Sequence, residues 1–103
     1  MAKKKIPRWL QPTVWSVKVE NLDLEKDKVY IINQVLVYGG FKAWRWLFKT
    51  YPKKTIIDVF VSQPLKIYTL KIFNFIKEIL LNIKDKNLKI ENYDRSLPRI
   101  IRS

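Results

Sequence analysis

Histidine and cysteine are both absent from the 103 residues, and together these absences remove most of the side chains with which small enzymes work. Without cysteine there is no disulfide staple and no thiolate nucleophile. Without histidine there is no Ser–His or Cys–His relay and no imidazole ligand for zinc or iron. Carboxylates are scarce as well, with nine acidic residues against 21 basic ones. The tightest acidic group, Glu20, Asp23, Glu25 and Asp27, lies where a helix start attracts negative charge. The reading is a non-enzymatic chain with no metal and no cofactor. Two glycines and five prolines exclude a loop-rich scaffold. Long apolar runs are missing too: the longest uncharged stretch, Val29 to Phe41, includes Asn33, Gln34 and both glycines. It falls short of the about 20 apolar residues of a membrane span. The basic Met1–Lys5 start is not followed by an apolar signal core, so the expectation is a cytoplasmic protein.

What is present is core material. Hydrophobic residues make up 48% of the chain and aromatics 14%, which argues for one folded domain rather than disorder. The net charge is +12, with basic clusters at both ends, Lys3-Lys4-Lys5-Arg8 and Arg95-Arg99-Arg102. Such an excess suits phosphate polymers, anionic surfaces or an acidic protein partner. Lysine predominates over arginine and serves equally well as solvated surface.

The fold expected is all-α: a small bundle of about four helices with an extended N-terminal arm and a basic C-terminal tail. Residues 1–13 read as a flexible basic arm, 14–81 as the helical domain, and 82–103 as a charged, partly ordered tail. Asp23 is the N-cap of the first helix, whose apolar side carries Leu24, Val29, Ile31, Ile32, Val35, Leu36 and Tyr38. Lys26, Asp27, Asn33 and Gln34 fall on its polar side, with Tyr30 and Val37 among them. Gly39-Gly40 ends this helix. A second helix runs from Phe41 to Tyr51 with Phe41, Trp44, Leu47, Phe48 and Tyr51 on its core arc. Lys53 to Val61 is β-branched enough for a strand, and helix is preferred because no sister strand is visible. Ser62-Gln63-Pro64 then breaks the chain and Pro64 opens a last helix, Leu65 to about Leu81. Its core side is Leu65, Tyr68, Ile72, Phe75, Ile76 and Ile79. That helix, basic on one side, would be the candidate for lying on a membrane, but its apolar face is needed for the core, so no membrane partner is expected.

The string from Val14 to Tyr51 resembles a family of small uncharacterised prokaryotic proteins. The shared elements are Val14-Trp15-Ser16, Leu22-Asp23, Ile31-Ile32-Asn33-Gln34-Val35-Leu36-Val37-Tyr38-Gly39, and Trp44-Arg45-Trp46-Leu47. The likeness covers about residues 12–76 and is strongest in the middle. Ser16 stands where an acidic residue is usual, and nothing after Leu81 matches. Genes of this family often lie beside nucleotidyltransferase toxins of the abortive-infection type. The resemblance therefore implies an antitoxin-like module that binds and neutralises such a toxin.

Candidate contact residues follow from the aromatic and charged positions left outside the core arcs. Trp44 belongs to the core. Trp46 falls between Lys42 and Thr50, where either the arm around Val14-Trp15 covers it or it serves as an interface anchor. Trp15, Tyr30, Lys42 and Trp46 are the expected protein-binding residues. An alternative reading takes Lys53–Val61 and Leu65–Leu81 as a helix-turn-helix that binds DNA. Lys66, Leu70, Lys71 and Asn74 would then face bases, and Lys53 and Lys54 would grip phosphates.

Overall fold

The computed structural model describes residues 6–83 and 87–94, and a capped turn from Asp23 to Asp27 precedes its first α-helix. One carboxylate oxygen of Asp23 accepts from the N–H groups of Glu25 (2.8 Å) and Lys26 (2.9 Å), and Asp27 returns a carboxylate to the Asp23 N–H (2.8 Å). These are reciprocal caps on first-turn donors that would otherwise have no partner. The capped turn leads into α1 (Lys28–Tyr38). Then follow α2 (Gly40–Thr50), α3 (Lys53–Ser62) and α4 (Leu70–Phe75), which continues in a π-type turn, Ile76–Leu80. Among the described residues there is no strand, only an isolated parallel bridge between Tyr68 and Asp94. The protein is a small all-α bundle, and Lys53–Ser62 is helical. None of these helices is long and apolar enough to cross a membrane.

α1 is the central helix, and here the expected two-sided pattern fails. Every residue from Ile31 to Leu36 is buried, Asn33 and Gln34 included. Buried amides need partners, and both have them. The Asn33 Nδ2 donates to the carbonyls of Val29 (2.8 Å) and Gln63 (3.2 Å). Its Oδ1 accepts from the Tyr68 hydroxyl (2.6 Å) and the Leu65 N–H (3.3 Å). Gln34 donates to the Thr13 carbonyl (3.0 Å). These polar groups look inward because α1 is packed on two sides, by the N-terminal segment and by the chain that follows α3.

The two glycines act differently. Gly40 has φ +75°, the left-handed conformation that turns the chain from α1 into α2. Gly39 is right-handed, and a Cβ built on it would lie 2.6 Å from both the Ala43 Cβ and the Val35 carbonyl oxygen. That closeness lets Trp44 reach back, its indole N–H donating to the carbonyls of Val35 (3.0 Å) and Leu36 (3.3 Å) at the end of α1. Gly39→Ala is expected to cost about 1–3 kcal/mol through overpacking. Gly40→Ala, with open space around it, is expected to cost roughly 1–2 kcal/mol through backbone strain alone. Urea midpoints of the two variants check this, and an unchanged Gly39→Ala would contradict the close α1–α2 approach.

The last helix is where the expected boundaries are corrected. It begins at Leu70, not Leu65, capped by the Thr69 hydroxyl, which accepts from the Ile72 N–H (3.3 Å). Residues 65–69 stay outside it, and two of their N–H groups are engaged over long range. Leu65 donates to Asn33, and Tyr68 donates to the Tyr93 carbonyl (2.9 Å). The π-type turn then shifts the register, with the Leu81 N–H reaching the Ile76 carbonyl (2.8 Å). As a result the buried positions are Phe73, Ile76 and Leu81, whereas Ile79 is 67% exposed. Phe41, also expected in the core, is 79% exposed. Asn82, in the left-handed conformation at φ 54°, closes the element, and Ile83 donates to the Lys77 carbonyl (2.8 Å), as in a Schellman cap.

Both ends of the described chain enter the core. Ile6, Leu10 and Val14 are buried, so the segment expected as an arm packs as part of the bundle from residue 6 onward. A short 3-10 turn, Ile90–Asn92, delivers Tyr93 into an aromatic cluster with Phe60, Tyr68 and Phe73. The basic clusters Lys3-Lys4-Lys5 and Arg95-Arg99-Arg102 lie outside the described residues.

Candidate functional site

Two surface features collect the residues expected to contact a partner, and the structure separates them. The first is the loop that carries Trp15. Val14 anchors it in the core, and the Gln11 side chain clamps it from within. The Gln11 Nε2 donates to the Val17 carbonyl (2.8 Å), while its Oε1 accepts from the Val19 N–H (3.0 Å). Gln34 holds the preceding Thr13 carbonyl. With its backbone fixed at both flanks, the loop presents an indole that is 67% exposed. Beside it in sequence, the Ser16 hydroxyl and the Tyr30 hydroxyl share a 2.6 Å hydrogen bond. Tyr30 is half-buried rather than open to solvent. That bond joins Ser16 to α1.

The second feature is a groove of about 250 Å³ lined by Trp9, Lys42, Arg45, Trp46 and Lys49. Lys42, Arg45 and Lys49 recur at helical spacing along one side of α2, and that stripe was legible in the sequence. Trp9 was not, because the segment before Val14 has no periodicity from which its path could be read. The short 3-10 helix Arg8–Leu10 buries Leu10 and leaves the Trp9 ring beside α2. The Lys42 ammonium sits 4.4 Å from the centre of that ring. Trp46 is half-buried here, and the arm residue that accompanies it in the groove is Trp9, not Trp15. No carboxylate lines the groove among the described residues. Nearby, Arg8 is paired with Glu20 (3.3 Å).

The helix-turn-helix residues do not assemble as the sequence suggested. The connection between α3 and α4 spans residues 63–69, longer than the three or four residues of such a turn. Lys66 is half-buried, and its ammonium donates to the Glu91 carbonyl (2.8 Å). Leu70, Lys71 and Asn74 are exposed on the first turns of α4, and Lys53 and Lys54 are exposed at the start of α3.

No curated protein and no solved structure matches the chain. A family match is found over residues 9–60, from the groove tryptophan through α1 and α2 to Phe60 in α3. That span holds the clamped loop, the α1–α2 glycine junction and every residue that lines the groove, and by it the chain belongs to the family of unknown function (DUF6922).

Proposed function

We propose that the protein is a non-enzymatic, antitoxin-like interaction module that binds and neutralises a nucleotidyltransferase toxin. The observation that carries the protein-binding part is Trp15, a large indole held in solvent by a loop clamped through Gln11, Val14 and Thr13. Aromatic side chains dominate the energetics of protein interfaces, and a pre-ordered one loses little freedom on binding. The toxin as partner rests on the resemblance of the Val14–Tyr51 string. Tyr30 and Ser16 form the adjoining polar rim.

Co-expression with the product of a neighbouring nucleotidyltransferase gene tests the proposal. The intact chain is expected to co-purify with that enzyme and to restore growth. Trp15→Ala is expected to weaken the complex at least tenfold, in line with hot-spot losses of about 2 kcal/mol or more, and to leave the urea midpoint unchanged. A chain that neither binds nor rescues would overturn the reading.

A further inference from the structure

We infer that the Trp9–Trp46 groove is a binding site for single-stranded nucleic acid. Its lining does not include Trp15, and it stands or falls independently of the toxin-binding proposal. Its lining combines the two chemistries that such strands require, flat π faces for bases and cations for phosphates. Trp9 and Trp46 supply the first, and Lys42, Arg45 and Lys49 supply the second. With no carboxylate in the lining, the field in the groove has one sign.

The dimensions agree with a strand rather than a bulkier ligand. At about 250 Å³ the groove is smaller than the roughly 300–1,000 Å³ of drug-sized clefts. Along α2 the row from Lys42 to Lys49 is about 10 Å long at 1.5 Å of rise per residue. At about 3.4 Å per nucleotide in a stacked strand, about three nucleotides span it. An acidic peptide would satisfy the cations but meets the indoles only where it carries aromatic residues, whereas every nucleotide brings both a phosphate and a flat base.

The resting structure already shows the exchange that binding needs. The Lys42 ammonium covers the Trp9 ring at 4.4 Å, a contact worth about 0.5–1 kcal/mol at an exposed site. An incoming base takes that face of the indole and frees Lys42 for the neighbouring phosphate. Arg45 and Lys49 are exposed and carry no carboxylate partner among the described residues, so they reach phosphates without breaking an ion pair.

The test is titration of the full chain with short fluorescent oligo-dT and oligo-U, read by anisotropy and by tryptophan quenching at about 50 and 200 mM salt. Binding with indole quenching and a steep salt dependence is expected, and comparison of the two oligomers tells DNA from RNA. Arg45→Glu with Lys49→Glu, both on an exposed helix side, is expected to keep the fold and lower the salt slope by about 1.4, at about 0.7 per phosphate. Trp9→Ala is expected to weaken binding between about 5- and 150-fold, the range for loss of one stacked base. Trp15→Ala and Lys53→Glu with Lys54→Glu are expected to leave it within twofold. Preference for a duplex, equal loss in the Lys53/Lys54 variant, displacement by oligo-glutamate, or no binding at low salt would each overturn the inference.

Discussion

Replacing Asn33 with aspartate is expected to unfold most of the protein at neutral pH and to spare it in mild acid. The side chains have the same shape, so the effect isolates the hydrogen-bond pattern. Asn33 is fully buried and has donors on one side and acceptors on the other. Its amide nitrogen faces the carbonyls of Val29 and Gln63, and its oxygen faces the Tyr68 hydroxyl and the Leu65 N–H. A carboxylate keeps the second pair of bonds but turns an anionic oxygen onto two carbonyl oxygens. An uncompensated buried charge of this kind costs about 3–5 kcal/mol, comparable with the whole stability of a small domain. Protonation restores one donor, so the folded state holds the new carboxyl neutral, with its pKa above the about 3.9 of an unfolded aspartate. A raised acid pKa gives stability that is present below the unfolded value and is lost as pH rises through the folded one. Helical circular dichroism and urea midpoints at about pH 4 and pH 7 check this against the unsubstituted chain. An Asn33→Asp variant as stable as the parent at neutral pH would show that the amide does not bridge these carbonyls.

Asn33 also marks where the sequence stops being legible. Local rules marked the turns and helix limits of residues 23–62, though not which sides of α1 and α2 are buried. Asp23 announced the capped turn that precedes α1, although the helix itself starts at Lys28; the glycine pair announced the α1–α2 turn, and Pro52 separated α2 from α3. Each of those signals acts within a few residues of its effect. Residues 63–68 and 91–93 follow different rules, because long-range partners satisfy several of their backbone groups. Asn33 holds Gln63 and Leu65, Tyr93 holds Tyr68, and Lys66 holds Glu91. A wheel drawn from Leu65 therefore starts too early, and the π-type turn at Ile76–Leu80 then rotates Ile79 out of the core. The groove divides in the same way. Its cations sit on one helix and are readable from their spacing, while Trp9 arrives from a segment placed by the burial of Ile6, Leu10 and Val14 and by the bond from Gln34 to Thr13. The Trp15 loop was visible as an aromatic outside the helices, but its rigidity depends on Gln11 bonds that composition does not reveal.

Truncating Tyr93 is expected to have the second large effect, although the residue lies in a stretch that reads as a charged tail. Its ring centre lies 5.0 Å from Phe60, 5.6 Å from Tyr68 and 4.6 Å from Phe73, so Tyr93→Ala opens a cavity beside three aromatic rings. Large-to-small changes of this kind cost about 3–5 kcal/mol. The hydroxyl has a separate task. In a continuing helix the Phe60 carbonyl would accept from residue 64, but that residue is proline and has no N–H. The Tyr93 hydroxyl donates to that carbonyl instead (2.7 Å). Tyr93→Phe keeps the ring and strands the carbonyl, at about 1–3 kcal/mol. The same burial sets an alkaline limit on the fold. Burial pushes the Tyr93 phenol up to about 12 and raises Tyr68 well above its ordinary value, with Tyr93 adding to that rise. Tyr51, whose hydroxyl donates to the Leu24 carbonyl (2.7 Å), is raised by burial and by Glu25, Asp23 and Asp27. Unfolded tyrosines ionise near about 10. Above that pH the unfolded chain releases protons that the folded chain retains, so stability is full below about pH 10 and falls as pH rises toward 12. Urea midpoints followed with phenolate absorbance across that interval should decline steeply in the parent and less steeply in Tyr93→Phe. Equal slopes in the two proteins would place the Tyr93 hydroxyl in solvent rather than on the end of α3.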